Sequence, residues 1–276
     1  MALACTAPNP AYRPEPPLDD APPRGASDAA PVRDTAPAPV PAPGVAASAD
    51  PRLLGYWPFD EAAGATIAHD GSGHGRDGTV EGTAQGVAFV AGHLGRALSF
   101  PGGSSGGVGV RVPESMEIDQ LRAFTITAWF QLGSVPGAGM QRSVISRRLG
   151  TGNGEVFNLT CNNGDVVVYI PGSGGQINFE ARAKGAAVAG VWTHAAATYD
   201  GRYLRLYLDG SQAAVSDFPD RLVSSPGNPV YIGTNKNATF SEPFHGLVDE
   251  VALYSYALPA SAVARLAAGA SPVDVR

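Results

Sequence analysis

VWTHAAATYDGRYLRLYLDG (residues 191–210) reads as two strands joined by a tight turn. The first, 192–199, mixes β-branched and aromatic residues with small alanines. Asp200-Gly201 follows, a dipeptide that supplies the positive φ values of a two-residue hairpin turn. In 202–209, Tyr203, Arg205, Tyr207 and Asp209 alternate with Leu204, Leu206 and Leu208. That period of two puts the leucines on one buried face and the polar-tipped side chains on the other. Asp209-Gly210 makes a second turn, and 212–215 a third strand. A meander with Asp-Gly at both corners is an all-β signal.

Outward from this centre the same grammar repeats. Strands are expected at 54–59, 79–81, 87–90, 97–100 and 108–112, with 124–132 (FTITAWFQL) the clearest interior strand. Further strands are expected at 143–147, 156–161, 165–170, 176–181, 230–233 and 244–254. The chain closes at 259–268, where Val263 and Leu266 are spaced for one helix face, with Pro259 before and Gly269 after. Many short strands with glycine turns between them point to a sandwich or barrel. The expected fold is a two-sheet jelly roll spanning 51–276 with a short C-terminal helix.

Charged residues are sparse at 16%, and the net charge of −6 argues against nucleic acid, whose phosphates need a basic surface. No apolar run approaches the roughly 20 residues of a membrane span. Residues 1–50 are mostly Ala, Pro and scattered charge, too poor in apolar surface to offset the entropy of ordering. They are expected to be a disordered, semi-rigid tail or linker. Small residues before Cys5, followed by that tail, match the end of a bacterial lipoprotein signal. Cys5 is therefore the expected lipidation site and the expected membrane contact, which places the domain outside the cytoplasm. Two cysteines, Cys5 and Cys161, do not fix the redox compartment.

Several segments in order resemble the laminin-G-like domains of the concanavalin A-like lectin/glucanase sandwiches. They are Tyr56-Trp57-Pro58-Phe59-Asp60-Glu61, Asp70-x-Ser72-Gly73-x-Gly75-x-x-Gly78 and Gly95-Arg96-Ala97-Leu98-Ser99-Phe100. Then come Trp192-x-His194, Leu206-Tyr207-Leu208-Asp209-Gly210 and Gly246-Leu247-Val248-Asp249-Glu250-Val251. The resemblance implies a concanavalin A-like fold over nearly all of 53–268. It implies a bacterial surface setting, and a binding or adhesion role toward a glycan or an envelope protein. It departs from the family at Pro259-Ala260-Ser261, where an acidic helix start is usual.

The same sandwich hosts glycoside hydrolases, which use carboxylates about 5–5.5 Å apart when retaining. In the glucanases these alternate along one strand. The nearest approach here, Glu117-Ile118-Asp119-Gln120-Leu121-Arg122, lacks the last acid and is read as a solvated turn. No catalytic residue is assigned, and an enzyme is not expected; a hydrolase or lyase, or a structural part of an envelope assembly, is the alternative. Cys161 is expected to be an inert thiol, and His194 a hydrogen-bonded sheet residue. Trp57, Trp129 and Trp192 are read as core.

Calcium takes six to eight hard oxygens from a flexible loop. The glycine-rich loop of Asp70, Ser72 and His74 offers a carboxylate and several carbonyls. In the laminin-G-like relatives the corresponding loop meets the strand that carries Asp249 here. Asp60, at the end of the first strand, is included, so Asp60, Asp70, Ser72, His74 and Asp249 form the expected site of a structural Ca2+. For a ligand, Tyr203 and Tyr207 on one strand face, with Asn235 and Asn237 in a nearby loop, are the expected contacts.

Overall fold

The computed structural model describes residues 50–275 apart from 104–107, 153, 173–177, 221–223 and 238–239. The expected tail up to residue 49, with Cys5, lies outside the described residues. In chain order the strands are β1 (Leu53–Trp57), β2 (Ile67–Ala68), β3 (Gly78–Glu81), β4 (Ala88–Ala91), β5 (Arg96–Pro101), β6 (Gly109–Val112), β7 (Phe124–Leu132) and β8 (Gln141–Arg148). They continue with β9 (Glu155–Asn162), β10 (Asp165–Pro171), β11 (Asn178–Ala183), β12 (Trp192–Tyr199), β13 (Tyr203–Leu208), β14 (Ser211–Asp217), β15 (Val230–Ile232) and β16 (His245–Tyr254). A single helical turn, α1 (Met116–Asp119), precedes β7, and α2 (Ala260–Ala267) follows β16.

The strands form two antiparallel sheets. Sheet A runs β14-β13-β12-β7-β16-β5-β4, with β1 also on β16; sheet B runs β11-β10-β9-β8-β15-β6-β3-β2. β16 is shared along its length. Its first half, to Val248, pairs with β5, and from Val251 it pairs with β1, while β7 flanks both halves. The change of partner falls on a bulge at Asp249-Glu250, where Glu250 takes a φ of 52°. A bulge bends a strand and re-aims side chains.

Between the sheets lies the main core, with Trp57, Phe59, Phe100, Phe124, Phe130, Phe157 and Phe244 fully buried. Leu204 and Leu206 of β13 point into it, as their alternation requires. Gly233, with a φ of 75°, has no room for a side chain, because a Cβ would stand 2.2 Å from the Phe100 ring. Cys161 is buried here and free, and burial pushes its thiol up to about 12, so it is an inert core residue.

A second apolar layer covers the outer face of sheet A. Ala196, Tyr207, Ala252 and Tyr254 meet Leu258, Ala262, Val263 and Leu266 of α2 and its flanks. Gly210 permits this approach: a Cβ there would lie 3.1 Å from the Ala264 Cα. α2 starts without a side-chain cap at Pro259, so its docking rests on this apolar stripe. Full burial of Val263 and Leu266 contributes about 1.5–3 kcal/mol each.

Two local expectations change. The β13–β14 turn is the expected two-residue type, with Asp209 at φ 48° and Gly210 at φ 81°. The β12–β13 turn is longer: Tyr199 pairs with Leu204, and Asp200 Oδ1 accepts the amides of Arg202 and Tyr203. The side chain of Asp200, not a left-handed backbone at that residue, closes the corner. The segment expected as a solvated turn is α1, with Ile118 fully buried.

Candidate functional site

The expected calcium ligands are each engaged locally. Asp70 accepts three backbone amides: Tyr56 at 3.0 Å and Ser72 at 2.9 Å on Oδ1, and Arg76 at 2.9 Å on Oδ2. Ser72 Oγ accepts the His74 amide, and His74 Nε2 lies 3.2 Å from the Asp50 carbonyl. Asp60 Oδ1 accepts the Arg96 amide at 2.7 Å. Asp249 Oδ2 accepts the amides of His93 and Leu94 at 2.9 and 3.0 Å, tying β16 to the β4–β5 hairpin. Among the described residues, no group of three or more His, Cys, Asp or Glu side chains is placed to hold a metal ion.

Asp249 does stand in a cross-strand row with Trp129 and His194 on the outer face of sheet A. His93 stacks on Trp129 with ring centres 3.7 Å apart and lies 5.6 Å from Trp192. Trp129 and Trp192 are therefore not in the core between the sheets; alternation along β7 and β12 places them outside it, under the hairpin. Burial pushes the Asp249 carboxyl up to about 7. Burial, with the His93 charge second, pulls His194 down to about 4. His194 Nε2 lies 2.8 Å from Thr127 Oγ1, as expected of a hydrogen-bonded sheet residue. The adjoining cavity, lined by Leu94, Thr127, Trp129, His194, Glu250 and Leu266, has about 10 Å³, room for one water.

Tyr207 needs correction as a ligand contact. It faces outward from sheet A as its alternation dictates, but α2 covers it and leaves 4% exposed. Tyr203 remains half-exposed, with the guanidinium carbons of Arg202 and Arg205 at 5.1 and 4.9 Å from its ring centre. The two tyrosines are therefore not joined with Asn235 and Asn237 in one surface. Asn235 and Asn237 belong to the β15–β16 connection, which bonds to sheet B.

The outer face of sheet B is the polar face of the domain. Register places Arg111, Tyr231, Ser146, Asn158, Tyr169 and Glu180 side by side across β6, β15, β8, β9, β10 and β11. Their neighbours in sequence (Val110, Val230, Ile232, Phe157, Val168 and Ala181) fill the core. Arg111 is exposed, and Tyr231, Tyr169 and Glu180 are half-exposed. Tyr231 and Tyr169 lie three strand steps apart, about 14 Å. The Tyr169 hydroxyl accepts Asn162 Nδ2 at 2.9 Å and Arg182 Nη2 at 3.2 Å. Arg182 in turn grips Glu180 with two bonds of 2.7 Å and Asp165 at 2.8 Å. Lys236 lies over the Tyr231 ring and pairs with Glu81.

Asn235 is buried at the edge of this row, donating to Glu155 and Glu242. Asn158 Oδ1 and Asn235 Oδ1 are buried without a protein donor. Period-two reading misses this site because its residues come from six strands and a loop. Register alone aligns them, and no local motif encodes it.

Asp119 also needs correction. Asp119 accepts Arg147 Nη2 at 3.0 Å and the Ser225 amide at 2.6 Å, and Arg147 is completely buried. Hydrogen bonds from Ser224 and Arg147 hold the Asp119 carboxyl below its ordinary range. Glu117 pairs with Arg76 at 3.2 Å. Asp119 is thus an ionic anchor for a buried guanidinium, whereas Glu117 is exposed, as expected of a solvated turn.

Among solved structures, similarity is found to domain 4 of AbnA, a GH43 extracellular arabinanase from Geobacillus stearothermophilus, in complex with arabinotriose. Identity is 21% and the TM-score 0.59, over 78% of this chain and 98% of that one. The binding domain of Paraclostridial Mosquitocidal Protein 1 matches at 15% identity and TM-score 0.59, over 78% of this chain and 52% of that one. The binding domain of botulinum neurotoxin DC in complex with rat synaptotagmin II matches at 11% and 0.61, over 79% and 51%. This chain thus spans about half the length of those two toxin chains. At these identities the likeness shows the fold. No curated protein sequence matches. The family model described as concanavalin A-like lectin/glucanases superfamily, a laminin G type, matches residues 103–264. The match covers more than half of the chain, and on it the protein belongs to the concanavalin A-like lectin/glucanase superfamily as a laminin-G-like domain.

Proposed function

We propose that this domain is a non-catalytic binding module that takes a carbohydrate on the outer face of sheet B. The observation that carries the reading is the cross-strand row from Arg111 to Glu180. It combines two half-exposed tyrosines, an exposed guanidinium and the half-exposed Glu180 carboxylate. Sugars offer many hydroxyl donors and apolar ring faces, and this surface meets both needs. The proposal extends to setting: an extracytoplasmic protein in which residues 1–50 space the domain from an anchor at Cys5, with an envelope glycan or protein as partner. The arabinanase domain's complex with arabinotriose lends support to a glycan, and the toxin domain's complex with synaptotagmin to a protein.

The test is a glycan array followed by calorimetry on the best hits, with Tyr169→Ala and Tyr231→Ala. Each change should weaken binding by at least about tenfold, since ring–sugar contacts are lost. Hits that bind both variants as well as the wild type would sink the sheet B assignment. Hydrolysis is the competing reading, and one observation favours it: Glu155 and Glu242 lie within bonding distance of the same amide nitrogen. Both are buried and occupied by Asn and Ser donors, so the binding reading stands ahead. Release of reducing sugar from any array hit would reverse that order.

A further inference from the structure

The row across sheet B is divided. Ser146 and Asn158 at its middle are fully buried, and Ser146 Oγ donates to the Thr234 carbonyl of the β15–β16 connection at 2.8 Å. Two accessible ends remain. Each holds a tyrosine and an arginine, and the ends differ in how much of their hydrogen bonding is already used.

At the β10–β11 end it is used. Arg182 gives Nε and Nη2 to Glu180, each at 2.7 Å, and Nη1 to Asp165 at 2.8 Å. Its Nη2 also reaches the Tyr169 hydroxyl at 3.2 Å, and Asn162 Nδ2 donates to that hydroxyl at 2.9 Å. Two carboxylates answer one guanidinium here, so no cation is left for a ligand.

At the β3–β6–β15 end it is not. Register sets Thr79, Arg111 and Tyr231 opposite one another on three neighbouring strands. Their Cβ atoms stand about 4.5–5.5 Å apart from one strand to the next. Thr79 and Arg111 are exposed, and Tyr231 is half-exposed. Among the described residues, none of these three side chains makes a hydrogen bond or an ion pair; the Tyr231 ring receives Lys236 Nζ at 5.0 Å from its centre. The carboxylates two positions either side of Thr79 are held elsewhere. Asp77 accepts the Asp70 amide and meets His69, and Glu81 pairs with Lys236. The result is a guanidinium flanked by two hydroxyls, with no carboxylate on it. A planar guanidinium fork matches the paired oxygens of a carboxylate or sulfate, and the hydroxyls donate to what lies beside them.

We propose that Thr79, Arg111 and Tyr231 form a subsite for an acidic sugar, bound through its carboxylate or sulfate, at one end of the sheet B face. The subsite rests on the reading of sheet B as the glycan-binding face and gives that reading a direction. The acidic unit sits at the β6 end, and the Tyr169 end, where Glu180 and Asp165 already answer Arg182, takes neutral units. Arg111 and Tyr169 lie four strand steps apart, about 19 Å, so a ligand that reaches both is an oligosaccharide. The chain's net charge of −6 opposes an anion in general, so the attraction is local to Arg111 and weakens as salt rises.

Heteronuclear NMR titration of the labelled domain with sodium glucuronate, a sulfated glucose, glucose and sodium acetate tests this directly. At least one of the two acidic sugars should shift the Arg111 Nε–H and Tyr231 amide signals saturably, and the tighter of the two tells carboxylate from sulfate. Glucose should bind at least about tenfold more weakly, as should the acidic sugar with Arg111→Gln, because a hydrogen bond to a charged group is worth about that factor or more. Arg111 is exposed, so the variant should keep the wild-type Tm. No saturable shift from either acidic sugar overturns the proposal, as does a shift that Arg111→Gln leaves intact. Acetate acting as strongly as the acidic sugars would mean an adventitious ion only, and glucose binding as tightly would mean a neutral site; either result overturns it. Neutral array glycans that lose affinity with Tyr169→Ala but not with Arg111→Gln would leave the sheet B reading standing without this subsite. An acidic sugar held at Arg111, with no array glycan sensitive to Tyr169→Ala, would keep the subsite and count against the wider reading.

Discussion

The two outer faces of the sandwich start from the same alternation of inward and outward side chains and are closed by different chemistry. On sheet A, Ala196, Tyr207, Ala252 and Tyr254 meet an apolar helix stripe. Contact there needs no particular direction, and the hydroxyls at its border find single partners: Tyr254 the Pro272 carbonyl at 3.0 Å and Tyr56 the Glu250 carboxylate at 2.8 Å. On sheet B, Arg111, Tyr231, Asn158, Tyr169 and Glu180 face outward, and Asn158, Tyr169 and Glu180 are tied by hydrogen bonds and an ion pair. Such bonds are directional, and buried atoms stay unmet on both faces: Asn158 Oδ1 and Asn235 Oδ1 at sheet B, Asp249 Oδ1 and His194 Nδ1 at sheet A. The apolar stripe of α2 covers Tyr207 and Tyr254 on sheet A, whereas sheet B keeps Arg111 exposed and Tyr231 and Tyr169 half-exposed, within reach of a ligand. That difference is why sheet B is the proposed binding face.

The largest effect should come from the ionic anchor beneath sheet B. Asp119→Ala leaves the buried Arg147 with only Glu114, at 3.9 Å, as a carboxylate neighbour. It should cost about 3 kcal/mol, lowering Tm by roughly 10 °C. A shift within about 1 °C would show that the anchor is solvated in solution. Next comes the cap: Leu266→Ala, at the centre of the α2 stripe, should cost about 2–3 kcal/mol by thermal or denaturant unfolding. Should it prove harmless, the helix is a loose appendage and the contrast between the faces collapses. Third, Tyr169→Ala and Tyr231→Ala should each cost under about 1 kcal/mol, because both rings are half-exposed. Any glycan affinity should fall far more than stability; equal losses in both would make the tyrosines structural. The smallest expected effect is that of chelation. EDTA should move Tm by less than about 1 °C, since Asp70 and Asp249 bond backbone amides. A clear fall that Asp70→Ala abolishes would instead establish the calcium site expected from the loop sequence.

Most of the sandwich was legible because each strand carries its own period of two and each turn its own glycine or aspartate. Leu204 and Leu206 could be placed inside, and Val263 and Leu266 on one helix face, from spacing alone. Tyr207 could be placed outside the core but not under α2, since the helix that covers it lies more than fifty positions away. Asp119 looked solvated because its partner, Arg147, sits on another element. A carboxylate beside glycines has the same local signature whether it binds an ion or caps a turn, so the sequence could not show that Asp70 accepts three backbone amides and Asp249 two.

By itself, then, the sequence determined the all-β class, the turns, the inward faces and the final helix, all properties set within a few residues of the chain. Tertiary structure alone decided which strands stand side by side, and with that the row across sheet B, the cap over sheet A and the meeting of Glu155 with Glu242. The physical reason is register: antiparallel pairing between distant segments fixes which outward side chains become neighbours, and no local pattern carries that information.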